Sequence, residues 1–214
     1  NSDGSEVEQC GNGARCFAKF VTDRELTTKP VITVNTSRGL IELALTETGL
    51  VRVNMGHPAL DPKTLPYQGP PEPDQIHTVV LETSDGSRSF GLISMGNPHA
   101  VTVVDSVDAT AVSDIGQAIQ NSPQFPDSVN VGFMEVISPK EIRLRVFERG
   151  VGETLACGTG ACAAMAYGHL LGQLDHDVIV ATRGGNLQIE WQGEGYDLIM
   201  TGPAESVFEG EFRL

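Results

Sequence analysis

The sequence is poor in positive charge. Its 214 residues carry 14 Lys and Arg, of which only four are Lys, against 28 Asp and Glu, for a formal net charge of −14. A chain of that sign offers no overall attraction to phosphate backbones or anionic lipid, so neither nucleic acid nor a membrane is expected as a partner. Also missing is any apolar run of the ~18 residues that a membrane-spanning helix needs, and no signal-peptide pattern opens the chain. The four cysteines, Cys10, Cys16, Cys157 and Cys162, are spaced C-x5-C and C-x4-C, outside the C-x2-C spacing of a zinc knuckle, so no metal is expected. The C-x-x-C pair of fast thiol exchange is absent too, which disfavours a redox protein. Free thiols without secretory features suit a reducing, cytoplasmic compartment. What the chain does have is recurrent, turn-bounded apolar runs and 40% hydrophobic residues, enough to fill one large domain or two small ones.

It also has an internal repeat. Cys10-Gly11-Asn12-Gly13-Ala14 matches Cys157-Gly158-Thr159-Gly160-Ala161 at an offset of 147, and Glu6 falls on Glu153 in the same register. Continued without a gap, the offset lays Val31-Ile32 on Val178-Ile179 and Leu40 on Leu187. Two homologous halves are expected, each a loop, a CGxGA turn, a helix and a strand pair. Cys16, Phe17, Phe20 and Val21 fall at helical spacing and predict an amphipathic helix to about Leu26. Residues 158–171 are small and apolar on nearly every face, which predicts a helix buried on all sides, enclosed by a sheet. Alternation predicts strands at 31–35 and 40–45 around Ser37-Arg38-Gly39, and at 178–182 and 187–191 around Gly184-Gly185-Asn186. Further strands are expected at 50–54, 76–82, 88–93, 101–104, 130–137, 142–147, 197–200 and 207–212, with a helix at 111–120. Six of the twelve prolines lie between Pro58 and Pro73, a stretch that reads as a linker or surface loop where one half gives way to the other. At the repeat offset, the partner of strand 142–147 falls before residue 1, so the first half reads as incomplete.

The CGxGA turns carry specific chemistry. A helix start leaves up to four N–H groups unsatisfied and bears partial positive charge, so a cysteine there is expected to ionise more readily, its pKa falling toward neutrality. Gly11, Gly13, Gly158 and Gly160 let a carboxylate approach bare backbone. The plainer alternative is a glycine-rich helix cap whose cysteine only packs; repetition of the turn favours the functional reading. Two-fold related helix starts would set two thiols on opposite sides of one ligand. A thiolate could then take the proton from an sp³ carbon while a thiol returns one to the other face, inverting the centre. Oriented N–H groups on the neighbouring carboxylate would stabilise the developing charge in a water-excluded site. Glu148-Arg149 ahead of Cys157 and the turn Gly96-Asn97-Pro98-His99 are the supporting polar groups; His57, His77, His169 and His176 have no such setting.

Three stretches, NSDGSEVEQCGNGARCF at the start, MGNPHAV in the middle and ERGVGETLACGTGACAA later, resemble the diaminopimelate epimerase family, in order and over nearly the whole chain. The resemblance implies an α/β fold of α+β type, with two pseudo-symmetric domains, each a curved, mostly antiparallel mixed sheet wrapped around a central helix. It implies domains at 1–54 plus 205–214 and at 55–204, the last strand returning to the first domain. The implied activity interconverts LL- and meso-2,6-diaminopimelate without a cofactor or metal, in lysine and peptidoglycan precursor biosynthesis. Cys10 and Cys157 would be the catalytic pair, with His99 assisting Cys10 and Glu148 assisting Cys157. Gly11, Asn12, Gly158 and Thr159 would bind the reacting centre's carboxylate. Asn1, Asn97, Asn130 and Arg149 would hold the other polar groups, with Glu148 near the reacting ammonium. Cys16 and Cys162 would pack, and members often pair as homodimers. Family members begin several tens of residues earlier, with an HGxGN-like motif that touches substrate, so this chain alone is expected to be poorly active and less stable. The alternatives are a proline or hydroxyproline racemase of the same fold, which needs an apolar pocket in place of Asn1, Asn130 and Arg149, and a truncated form that binds without turnover.

Overall fold

The computed structural model describes residues 11–36, 39–61, 64–69, 78–83 and 86–211; Asn1 and Cys10 lie outside the described residues. Its helices are α1 (Gly11–Asp23), α2 (Val112–Gln120) and α3 (Gly158–Leu170). Its strands are β1 (Val31–Thr36), β2 (Gly39–Leu45), β3 (Val51–Asn54), β4 (Thr78–Thr83), β5 (Gly86–Ser94), β6 (Pro98–Val103), β7 (Asn130–Ser138), β8 (Glu141–Glu148), β9 (Gly152–Thr154), β10 (Asp177–Thr182), β11 (Gly185–Glu190) and β12 (Ile199–Gly202). All belong to one sheet in the order β1-β2-β3-β12-β11-β10-β8-β7-β6-β5-β4, with β9 hydrogen-bonded to β8 off this path. Pairing is antiparallel except between β6 and β7 and between β8 and β10, the two places where a helix crosses over. This is the sheet-dominated α/β fold expected from the sequence.

The repeat is visible in the strand order. β1-β2-β3 and β10-β11-β12 are equivalent hairpin-plus-strand units that meet back to back through the antiparallel β3–β12 pair. α1 and α3 are both 13 residues long and start 147 residues apart. Their ends match as well. Glu25 (φ 54°) occupies the left-handed position that Gly172 (φ 70°) takes at the same offset, and in both cases the next N–H reaches back five residues, Leu26 to Val21 and Gln173 to Gly168. Beyond that cap the register slips. Thr36 faces Gly39 and Thr182 faces Gly185 at the hairpin ends, an offset of 146, so the gapless alignment expected through the hairpins is corrected by one residue lost in the second helix–strand loop. The true marker is T-x-x-G: the threonine hydroxyl donates to the glycine carbonyl at 2.8 Å in the first hairpin and 2.7 Å in the second. Each glycine has φ above 110°, which an L side chain rarely adopts.

α3 runs through the middle of the second half, and its residues from Gly158 to Gly168 are buried. β5, β6, β7, β8, β10 and β11 all pack on it. No polar face was needed because none meets water, which is why its sequence is apolar all round. α1 packs on β2, β3 and α3 through Arg15, Ala18 and Val21. Phe17 and Phe20 are 44% and 54% exposed, and Cys16 is exposed, so these do not form the buried face, whereas Cys162 is buried as expected. A second core of Phe90, Ile115, Phe125 and Phe133 holds α2 against the outer strands. Residues 203–211 form no strand, contrary to the expectation for 207–212. Val207 and Phe208 are exposed, and the segment meets the turn just after α1 through an Arg24–Glu209 ion pair at 2.7 Å. A strand needs a ladder partner, and no described strand pairs there. No described helix is long and apolar enough to cross a membrane.

Candidate active site

α3 starts immediately after Cys157, whose backbone is extended (φ −127°, ψ 111°) and whose side chain makes no capping bond to the helix. Of the first-turn N–H groups of α3, that of Gly160 faces the Cys157 sulfur. A Cβ placed on Gly158 would stand 3.5 Å from the Cα of Gly11 and 3.3 Å from the Met200 sulfur, so the first residues of α3 and α1 meet backbone to backbone. Asn12 confirms the junction by donating from Nδ2 to the Ala156 carbonyl at 3.4 Å. Two helix N-termini, and with them two positive dipole ends, share one rim.

Around that rim lie the other described residues expected at the site. Thr159, in the first turn of α3, has its hydroxyl 3.6 Å from the Cys157 sulfur and accepts from Asn97 Nδ2 at 3.2 Å. Asn97 Oδ1 is 3.0 Å from Nε2 of His99, which is fully buried at the start of β6. Asn130 opens β7, donates to the Pro98 carbonyl at 2.9 Å and accepts the Arg149 N–H at 2.9 Å, tying the His99 turn to the end of β8. Glu148 is the last residue of β8, and its Oε1 receives the Thr154 hydroxyl at 2.5 Å. Cys157, Gly158, Thr159, Gly11, Asn12, Asn97, His99, Asn130, Glu148 and Arg149 thus form one cluster, assembled from α1, α3, β6, β7 and β8.

Electrostatics here correct one expectation. The Cys157 thiol is not drawn toward neutrality but pushed up to about 12, first by burial and next by the negative charge of Glu148. The Thr159 hydroxyl and the Gly160 N–H favour the thiolate, as a helix start should, but they lose to desolvation in a site 5% exposed. Unliganded Cys157 is therefore a thiol at neutral pH with a carboxylate beside it. His99 is held down to about 3, by burial and then by the Arg149 charge, and so is a neutral imidazole.

Two participants were not foreseen. Arg15, 8% exposed, donates through Nη2 to Asn12 Oδ1 at 3.0 Å and through Nε to the Pro203 carbonyl at 3.1 Å, so it turns the Asn12 NH₂ toward Ala156. Its spacing from Asn12, three residues along a helix, was the available signal. Thr154 reaches Glu148 only because β9 folds back on β8, which no local pattern announces.

A family model described as Diaminopimelate epimerase matches residues 1–60 and 91–207. The chain belongs to the diaminopimelate epimerase family. Curated relatives of that name include one from Chromobacterium violaceum, 55% identical over all 214 residues and 76% of its own length. Another, from Nitrosomonas europaea, is 51% identical over the whole chain and 77% of its length. Among solved structures, a probable proline racemase from Agrobacterium radiobacter K84 superposes with TM-score 0.65 at 17% identity, over 91% of this chain and 64% of that one. A PhzF-family phenazine biosynthesis protein from Enterococcus faecalis does so with TM-score 0.65 at 17% identity, over 97% and 74%. At such identities the two structures speak for the fold alone. Family membership rests on the long sequence matches.

Proposed function

We propose that this chain carries the site of a cofactor-independent diaminopimelate epimerase, with Cys10 and Cys157 as the two acid–base groups. The observation that carries the reading is the abutment of Gly11 and Gly158, 3.5 Å from Cα to the position of a Cβ. Each glycine follows a cysteine in sequence, which supports the reading of a thiol pair at that rim. The substrate's α-carboxylate sits on the N–H groups of Gly11, Asn12, Gly158 and Thr159, where the helix ends offset the chain's negative charge. Cys10, as thiolate, takes the α-proton: the C–H bond breaks, an S–H bond forms, and the electron pair spreads into the carboxylate held by those donors. Cys157, as thiol, gives its proton to the opposite face, leaving a thiolate stabilised by Thr159 and Gly160. In the reverse direction the roles exchange, with Glu148 receiving the Cys157 proton and neutral His99 serving Cys10. Asn1, Asn97, Asn130 and Arg149 hold the distal amino-acid end, a polar lining that favours an acyclic substrate over a cyclic imino acid. The reading includes a cytoplasmic setting and pairing with a second copy, which sedimentation of the full-length protein checks.

The test is to incubate full-length protein with LL-diaminopimelate in D₂O and follow deuterium at the α-carbon. Incorporation is expected in the wild type and lost in Cys10→Ala and in Cys157→Ala. Exchange surviving removal of both thiols would sink the mechanism.

A further inference from the structure

His99, Asn97, Thr159 and Cys157 are linked end to end by contacts of 3.0, 3.2 and 3.6 Å. The direction of the hydrogens along that line is fixed by the chemistry of one amide. Asn97 gives a hydrogen from Nδ2 to the Thr159 oxygen and turns its carbonyl oxygen to His99. A carbonyl oxygen only accepts, so His99 must carry its hydrogen on Nε2 and its lone pair on Nδ1. That Nδ1 is buried and has no hydrogen-bond partner among the described residues. Thr159, already accepting from Asn97, is left with its own hydrogen, and the Cys157 sulfur is the acceptor in reach. Flipping the amide would reverse every arrow: the Thr159 hydrogen would turn to Asn97 and away from sulfur, and the His99 hydrogen would move to Nδ1.

We propose that Asn97 is a positioning residue that couples the two thiol sites: one amide orientation aims the Thr159 hydrogen at the Cys157 sulfur and bares Nδ1 of His99 as a proton acceptor for the opposite thiol. The proposal rests on the reading that His99 serves Cys10. Negative charge arriving on the Cys157 sulfur strengthens the Thr159 hydrogen bond, which polarises Asn97 and in turn the His99 Nε2–H, making Nδ1 the better base. Ionisation of Cys157 therefore favours proton capture from the site of the other thiol, the step that returns Cys10 to the thiolate after it has taken the substrate's proton. The other groups facing Cys157 are Glu148 from β8, the Gly160 N–H and Cys162 from α3; Arg149 faces His99. Among the described residues, Thr159 and Asn97 are the pair whose hydrogen bonds run from Cys157 to His99.

Two measurements on the full-length protein test this. Nitrogen-15 spectra of the imidazole should find His99 in the Nε2–H form, a readout that needs no variant. The pH dependence of Cys157 alkylation, followed by peptide mass spectrometry, should shift upward in Thr159→Val by on the order of one pH unit, a tenfold drop in thiolate at a given pH, and stay near wild type in Thr159→Ser. Asn97→Asp still accepts from His99 but now also accepts from Thr159, so it should raise the Cys157 midpoint through redirection as well as charge. In the Thr159→Val background only the charge effect remains, and the shift should be smaller by about the Thr159→Val increment. An Nδ1–H tautomer in the wild type, or equal Asn97→Asp shifts in both backgrounds, would overturn the coupling. Absence of α-deuterium exchange in wild-type protein would overturn the epimerase reading while leaving both readouts intact.

Discussion

Acidification should weaken the fold through His99, and the structure sets the size of the effect. His99 is fully buried, with an ordinary pKa of 6.5 in the unfolded chain and about 3 in the folded one. The folded pKa is depressed, so the neutral ring is what the fold accommodates. Its contribution is complete above pH 6.5 and declines as pH falls from 6.5 toward 3, because the unfolded chain takes up the proton first. By pH 5 the unfolded ring is mostly charged and the folded one is not, which costs about 2 kcal/mol. Urea denaturation of the wild type and of His99→Gln, at intervals from pH 7.5 to 4, isolates this contribution: the variant keeps an amide donor for Asn97 and has nothing to titrate. The gap between the two stability curves should narrow by about 2 kcal/mol between pH 7.5 and 5, whatever the carboxylates add to both. Curves that fall in parallel would show that His99 takes up its proton equally in both states, and the buried-base role would go with it.

The Cys157 thiol should behave in the opposite pH range. Its folded pKa of about 12 lies above the ordinary 9.0, so stability holds below pH 9 and is lost as pH rises toward 12, by about 1 kcal/mol between pH 9 and 10; Cys157→Ala, assayed by thermal unfolding, should lack that loss. Iodoacetamide should label exposed Cys16 long before buried Cys162, whose thiol is also raised by burial, and equal labelling of the folded protein would contradict their placement. Glu25→Gly should raise stability by about 0.5–1 kcal/mol, since it relieves a left-handed backbone that Gly172 already takes with glycine; an unchanged melting temperature would refute the strain. Gly91→Ala should destabilise by about 1–3 kcal/mol, because its methyl would stand 2.1 Å from the Tyr167 ring, and a denaturation midpoint equal to wild type would contradict that packing.

Much of the architecture was written locally. The apolar, small-residue run after Cys157 could satisfy its backbone only as a helix and could hide its surface only inside a sheet, and α3 is that helix. The paired CGxGA turns identified two equivalent helix starts because glycine and an N-terminal dipole act within one turn, without reference to the rest of the chain. Alternation located eleven of the twelve described strands, all but β9, though boundaries moved by up to three residues and the second hairpin closes between Thr182 and Gly185.

Other features depended on what came to lie nearby. Phe17 and Phe20 have helical spacing and good apolar character, yet which side of α1 meets the sheet is set by β2 and β3, and the pattern alone pointed to the wrong face. β9 is three residues long and exists only as an addition to β8. The sign of the Cys157 shift could not be read from its helix start, because desolvation depends on every atom that excludes water, and the Glu148 charge arrives from another strand. The same holds for the line from His99 to Cys157. Each residue was expected at the site, but the tautomer of His99 and the direction of the Thr159 hydrogen follow from one amide orientation, and only packing the turn before β6 against the first turn of α3 decides that. Short-range preferences act within a few residues and are legible in sequence; charge burial and hydrogen direction are set by neighbours distant along the chain, and the tertiary structure alone brings those together.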